Sequence, residues 1–193
     1  MTTNGQPEAK QDRSRANREL LVDAFLELLR EKHYSDISIA EVARRAGLTT
    51  GAVYARFGDK SGVAVAAHDR FAEESVRTMT AWAGQSRWET ATPAAIIDSW
   101  TRGAINFART YQPMLVLMFA DPAVGQRYES LIAEPPELLS RLLSRVMPER
   151  EGFHDDVVWA GRAALVVIDR FGPDSADLAE RIHTMLHKLI GVS

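Results

Sequence analysis

Between Ser38 and Lys60 the chain reads SIAEVARRAGLTTGAVYARFGDK, and the outer face of its second half carries Thr49, Thr50, Tyr54, Arg56 and Lys60. These are hydroxyl, guanidinium and ammonium donors, which suit the acceptor oxygens of phosphates and the edges of bases in a groove. The spacing around them predicts elements that could hold such donors in place. Ser38 and Glu41 are three apart, as in a capping box, so a helix should begin at Ile39. Its inward stripe is Ile39, Val42, Ala43 and Ala46. Gly47 follows where the chain must turn through the left-handed backbone region that glycine enters without steric cost. Thr49 or Thr50 can cap a second helix, with Val53 and Phe57 turned inward. Small Ala43 allows close approach and Val53 closes the corner, the pattern of a helix-turn-helix whose second helix enters the DNA major groove. An ordinary helical corner has the same spacing, and the donor-rich outer face weighs against that reading.

Residues 15–75 resemble the DNA-binding domain of the TetR (tetracycline repressor) family of bacterial transcription regulators. The likeness is carried by Ala46-Gly47-Leu48, by Gly51-Ala52-Val53-Tyr54 and Phe57, and by Asp59-Lys60 opening the next helix. Upstream, Ala24-Phe25 and Tyr34 ahead of Ile37-Ser38-Ile39 belong to it as well. The resemblance implies a homodimer, a palindromic double-stranded DNA operator, and a small ligand that changes DNA affinity. It implies that Tyr54 and Lys60 contact phosphates and that Thr50, Gly51, Ala55 and Arg56 approach the bases; Ser38 and Thr49 complete the candidate DNA-binding set. Thr50 stands where many members carry a basic or longer polar residue, and Ala55 where many carry an aromatic or histidine. The recognition helix is therefore small-sided, which shifts readout toward Thr50, Arg56, thymine methyl contacts and DNA shape. Arg44 and Arg45 read equally as phosphate contacts or as a solvated basic helix end. Arg13, Arg15 and Arg18 could reach the DNA from a tail that orders on binding.

The composition bounds these readings. The 193 residues contain no cysteine, are 46% hydrophobic and 25% charged, and carry 23 basic and 26 acidic side chains, for a net charge of -3. Zero cysteine removes disulfides, thiolate metal ligands and a catalytic thiol, and fits a cytoplasmic protein. Apolar runs such as Leu115–Ala120 are far short of the roughly 20 residues a membrane span requires. A slightly acidic sum speaks against nucleic acid, but Lys10 to Lys60 holds ten basic and eight acidic residues, so that stretch is +2 and the remainder -5. Nonspecific DNA affinity should be modest, with specificity resting on a few placed donors.

Apolar spacing is helical nearly throughout, which predicts an all-α chain of about ten helices. Residues 1–14 lack apolar period and read as a disordered tail. A first helix from about Arg15 to Lys32 carries Leu21, Phe25, Leu28 and Leu29 on one face. Two short helices follow, then a long one over Lys60 to Ala83. Thr92-Pro93 and Asp121-Pro122 are helix starts, Gln112-Pro113 and Pro135-Pro136 supply the proline of one, and Pro148 with Gly152 and Gly172-Pro173 mark breaks. The domains expected are a tail 1–14, a DNA-binding domain 15–75 with its helix-turn-helix at 38–57, and an effector-binding and dimerisation domain 76–193.

Val157–Phe171 is apolar around most of its circumference, and the last helix bears Leu178, Ile182, Met185, Leu186 and Leu189 on one stripe. A helix apolar all round is buried on both sides, so the helices 155–171 and 175–192 are expected to join two copies of the chain. Trp100, Phe107, Met114, Met118, Tyr128 and Trp159 could line a site for a hydrophobic or aromatic effector, although most such residues in proteins are core. Arg162 within the apolar helix, if buried, needs an acid, which an effector carboxylate, Asp169 or Asp98 could supply. Asp98 with Arg102 could equally form a surface pair, and Asn106 and Arg109 could anchor an anion.

No phosphate loop and no Gly-x-Ser-x-Gly elbow is present, so no catalytic residue and no cofactor is assigned. His183 and His187 are four apart near Glu180, but the metalloprotease pattern needs Glu at 184, where Thr stands. That pair reads as a solvated edge, and no metal is assigned.

Overall fold

A computed structural model describes residues 6–148 and 150–192, which contain nine α-helices and no strand. The order is α1 (Gln6–Glu31), α2 (Ile39–Arg45), α3 (Thr50–Phe57), α4 (Lys60–Ala83), α5 (Pro93–Thr110), α6 (Gln112–Ala120), α7 (Pro122–Leu143), α8 (Phe153–Phe171) and α9 (Leu178–Ile190). Short 3-10 turns occupy Tyr34–Asp36 and Ser86–Glu89. No helix among the described residues is long and apolar enough to cross a membrane.

Two differences from the sequence expectation have local causes. α1 begins at Gln6 rather than near Arg15, so the described part of the expected tail is helical; its Ala, Glu, Lys, Gln and Arg residues are strong helix formers that need no apolar face to be one. Residues 1–5 of that tail lie outside the described residues. α7 runs through Pro135 and Pro136 instead of starting there. A proline inside a helix removes a hydrogen bond and costs about 3 kcal/mol. Here tertiary contacts oppose that cost: the Trp100 indole donates to the Pro135 carbonyl at 2.9 Å, and Pro136 packs against Gly161, where an added Cβ would come within 3.0 Å of the proline ring.

The contacts divide the chain into two compact units. The first takes the chain up to Phe71 together with Val116–Gln126, and the second takes Ala72–Leu115 and everything from Arg127 onward. A linear boundary at 75/76 omits the returning segment 116–126. Its Leu117 and Val124 are buried, and its Asp121 accepts hydrogen bonds from Tyr34 and Ser61 of the first unit.

In the first unit Leu21, Val22, Phe25 and Leu28 of α1 are buried, as are Val42 and Ala43 of α2, Val53 of α3, and Val63, Ala64 and Ala67 of α4. Full burial of each large aliphatic or aromatic side chain contributes about 1.5–3 kcal/mol. The second unit is built on Ile96, Ile97 and Trp100 of α5, Leu139, Leu142 and Leu143 of α7, Val157, Ala160, Ala164 and Ile168 of α8, and Ile182, Leu186 and Ile190 of α9. The small residues of α8 thus serve packing inside this unit.

Candidate nucleic-acid interface

The α2–α3 corner is built by its own side chains. Ser38 caps α2 as expected: its hydroxyl accepts from the Glu41 amide at 3.3 Å, and the Glu41 carboxylate accepts from the Ser38 amide at 3.1 Å and from its hydroxyl at 2.9 Å. Lys32 donates to the same carboxylate, and chiefly that bond, with those from Ser38, holds the Glu41 pKa down at about 2. Gly47 takes φ +67° and Leu48 N–H reaches back to the Ala43 carbonyl at 2.9 Å, which ends α2 sharply. Thr49 then caps α3 by accepting from the Ala52 amide at 3.2 Å. Val53 is wholly buried and Phe57 half-buried, so one face of α3 is held against the domain.

The opposite face presents Thr50, Gly51, Tyr54 and Ala55 to solvent, Tyr54 with 56% of its surface exposed. Gly51 has no packing reason to be glycine: an added Cβ would meet only the Thr49 hydroxyl, at 3.8 Å. A helical glycine without an internal steric cause suits a surface that another backbone must approach closely. Arg56 is placed differently from the expectation. It is half-buried, donates to the Ala52 carbonyl of its own helix at 3.1 Å, and has its Nε buried without a partner. Lys60 donates to the Tyr34 carbonyl at 3.0 Å and the Ser35 carbonyl at 3.5 Å, with its ammonium 4.2 Å from the Tyr34 ring centroid. Two of its three N–H groups are thus directed at the chain turn before α2.

The basic residues left open by sequence separate in the structure. Arg45 forms a bidentate pair with Glu31 at 2.8 Å on both nitrogens and also reaches Glu27, so it ties α2 to α1; those two acids keep its pKa above the ordinary arginine value. Arg44, Arg13 and Arg15 are exposed, while the Arg18 guanidinium lies 5.7 Å from the centroid of the Phe57 ring.

Sequence reasoning missed what supports this corner from behind. Asp121, only 4% exposed, caps α7 through the Ala123 and Val124 amides and accepts from the Tyr34 hydroxyl at 2.7 Å and the Ser61 hydroxyl at 3.0 Å. Burial would raise its pKa, but these donors together outweigh burial and leave it below the ordinary aspartate value. Burial and the Asp121 contact raise the Tyr34 phenol. The Asp-Pro dipeptide marked the cap; nothing in it marked partners 87 and 60 residues away.

The side chains expected around an effector are scattered. Trp100 is buried with its indole bonded, Met114 is buried, and Phe107 and Tyr128 are half-buried. Phe107 lies against Tyr111 with centroids 4.9 Å apart, and Met118 belongs to the first unit. Trp159 is 63% exposed, and Arg162 is exposed rather than buried, because the α8 core stripe runs through Val157, Ala160, Ala164 and Ile168. Two concavities of the second unit are lined by Ser144, Met147, Arg150, Phe153 and His154, and by Val167, Phe171, Leu178, Ile182 and Met185; none of the seven expected side chains lines either. Asp98 pairs with Arg102, and Arg109 with Asp174 at 2.7 Å. Ser140, His154 and Glu137 form a chain with contacts of 3.0 and 3.5 Å, but Ser140 is wholly buried and cannot meet a substrate carbonyl. His183 and His187 are half-buried rather than a solvated edge.

Comparison with known proteins agrees with this geometry. The family model described as bacterial regulatory proteins, tetR family, matches residues 21–67. No curated protein matches the sequence. Among solved structures, a TetR transcriptional regulator from Rhodococcus sp. RHA1 is similar with a TM-score of 0.55 at 20% identity, covering 91% of this chain and 96% of that one. A TetR family transcriptional regulator, PfmR, from Thermus thermophilus is similar with a TM-score of 0.52 at 24% identity, covering 88% and 96%.

Proposed function

We propose that the chain, whose residues 21–67 match the family model described as bacterial regulatory proteins, tetR family, is a homodimeric DNA-binding transcription regulator, acting as a repressor on a palindromic operator. The observation that carries the reading is the outer face of α3. Thr50, Gly51, Tyr54 and Ala55 are turned to solvent on a helix whose other side is held by buried Val53 and whose start is capped by Thr49. Backbone and small side chains there can approach a groove closely, with Tyr54 and Lys60 at phosphates and Ser38 and Thr49 framing the helix starts. Two such helices in a dimer reach successive major grooves about 34–36 Å apart, so a change in their separation is enough to release DNA.

Self-association through α8 and α9 is supported by apolar surface that one chain leaves uncovered: Trp159, Val166 and Phe171 of α8 and Leu189 of α9. Binding of a hydrophobic or aromatic effector to the C-terminal part would shift the dimer toward the wrong spacing. Coupling of that kind is typically about 1–3 kcal/mol. A second reading, a regulator that uses no small-molecule effector, is favoured by one observation: Trp100 is buried while Trp159 and Arg162 face solvent, so these side chains do not enclose one common cavity.

The test is a salt titration of binding to the promoter fragment of the neighbouring gene, followed by fluorescence anisotropy. Affinity should fall steeply and log-linearly with salt as phosphate contacts release counterions. Binding that barely weakens with salt would instead favour a helical protein-interaction adaptor.

A further inference from the structure

Base pairs are told apart in the major groove by a short set of contacts. Arginine or lysine reads guanine, asparagine or glutamine reads adenine, a carboxylate reads the cytosine amine, and an apolar group reads the C5 methyl of thymine. At about 100° per residue, Thr50, Tyr54, Gly51 and Ala55 occupy about 140° of α3, and all four are exposed. None of them carries a guanidinium, ammonium, amide or carboxylate. The Thr50 hydroxyl both donates and accepts, so it suits any base. Tyr54 is assigned to phosphate. Two methyl groups remain that can discriminate, Cγ2 of Thr50 and Cβ of Ala55. Gly51 leaves the space beside them open, since even an added Cβ would meet only the Thr49 hydroxyl.

Arg56 is the side chain of α3 whose chemistry suits guanine, and the fold directs it elsewhere. It stands about 100° beyond Ala55 around the helix, outside the exposed arc. It is half-buried, its Nη1 donates to the Ala52 carbonyl at 3.1 Å, and its Nε is shut off from water. A guanidinium reads guanine through two parallel N–H bonds, so turning it outward would break the bond to Ala52. Lys60 is directed at the Tyr34 and Ser35 carbonyls and Arg45 at Glu31, while exposed Arg44 belongs to α2 rather than to α3. We propose that α3 reads thymine through its C5 methyl, by the methyl groups of Thr50 and Ala55, and makes no arginine–guanine contact. The proposal rests on the operator-binding reading and specifies the chemistry of the operator. Its consequence is that 5-methylcytosine, which carries the same methyl in the same groove, is accepted in place of thymine.

The experiment first uses the full chain to select duplexes from a random pool, which yields the operator half-site. Fluorescence anisotropy then measures affinity for that duplex with deoxyuridine in place of thymine, which removes the C5 methyl alone, at one symmetric pair of positions at a time. Where a thymine faces Thr50 or Ala55, each methyl removed should cost about fourfold in affinity, the worth of one buried carbon group, and thus about fifteenfold for the pair. Placing 5-methylcytosine there should restore most of what cytosine loses. 7-Deazaguanine, which lacks the N7 acceptor that an arginine needs, should bind as guanine does. Thr50→Ser keeps the hydroxyl, drops the methyl and should shrink the deoxyuridine penalty at one position; a penalty undiminished at every position overturns the part given to Thr50. Affinity indifferent to deoxyuridine throughout, or a loss of about fivefold or more with 7-deazaguanine, overturns the methyl readout while leaving operator binding intact. These measurements use the unaltered chain and stand even if a variant fails to fold. A pool in which no sequence is enriched overturns the operator reading, and the methyl readout with it.

Discussion

The Tyr34 hydroxyl donates to the Asp121 carboxylate at 2.7 Å, joining the turn before the helix-turn-helix to a residue 87 positions later in the chain. Ser61, in the first turn of α4, donates to the other carboxylate oxygen at 3.0 Å. One buried acid thus holds the start of α7 to the two segments that flank the α2–α3 corner.

Asp121→Ala strands the Tyr34 and Ser61 hydroxyls and uncaps α7. Urea unfolding should show a loss of about 2–4 kcal/mol, and Asp121→Asn, which keeps an acceptor, a smaller one. The pH dependence has a defined sign. The Asp121 pKa is lower folded than unfolded, so its contribution is present above the unfolded value of about 3.9 and is lost as pH falls through the lower folded value. Acidification below about pH 4 should therefore destabilise the unaltered protein more than Asp121→Asn.

Gly51 and Gly62 should respond oppositely to the same substitution. Gly51→Ala places a Cβ in ordinary contact with the Thr49 hydroxyl alone, so stability should hold or rise by up to about 0.5–1 kcal/mol while operator affinity falls. Gly62→Ala drives a Cβ into the Phe57 carbonyl group and should destabilise the domain by about 2 kcal/mol or more. Paired thermal melts and anisotropy titrations separate the two effects.

Tyr54→Phe removes one hydroxyl from an exposed side chain, so the fold should be untouched and operator affinity should drop several-fold. Lys60→Ala should weaken DNA binding across all sequences and reduce the salt slope by about 1. It should also cost some stability, because the carbonyls of Tyr34 and Ser35 lose their ammonium donor. Unchanged binding in both variants would contradict the phosphate roles assigned to them.

Trp159→Asp with Val166→Asp places charge on α8 surface that is 63% and 67% exposed in one chain. Light scattering should report pairs for the unaltered protein and single chains for the variant, and circular dichroism should show the helices intact. Retention of the pair would place self-association elsewhere on the molecule.

The helix-turn-helix was legible in the sequence because its grammar is local. Ser38 and Glu41, Gly47, and Thr49 with Val53 act over three or four residues, and each performs the part its spacing implies. The all-helical class was legible for the same reason, since apolar periodicity is a property of neighbours along the chain. Tertiary structure alone decided the rest. Which arginine faces outward depended on partners far along the chain or on the helix itself: Arg45 is claimed by Glu31 and Arg56 folds back on Ala52. Helix α7 passes through two prolines because Trp100 and Gly161 meet them from other helices. Arg162 faces solvent because α8 turns its small residues toward its own core. Asp121 became a support of the first unit only when the chain returned to it. Local spacing specifies helices and caps through bonds a few residues long. Burial and long-range pairing arise from packing between segments whose separation in sequence carries no periodic signal.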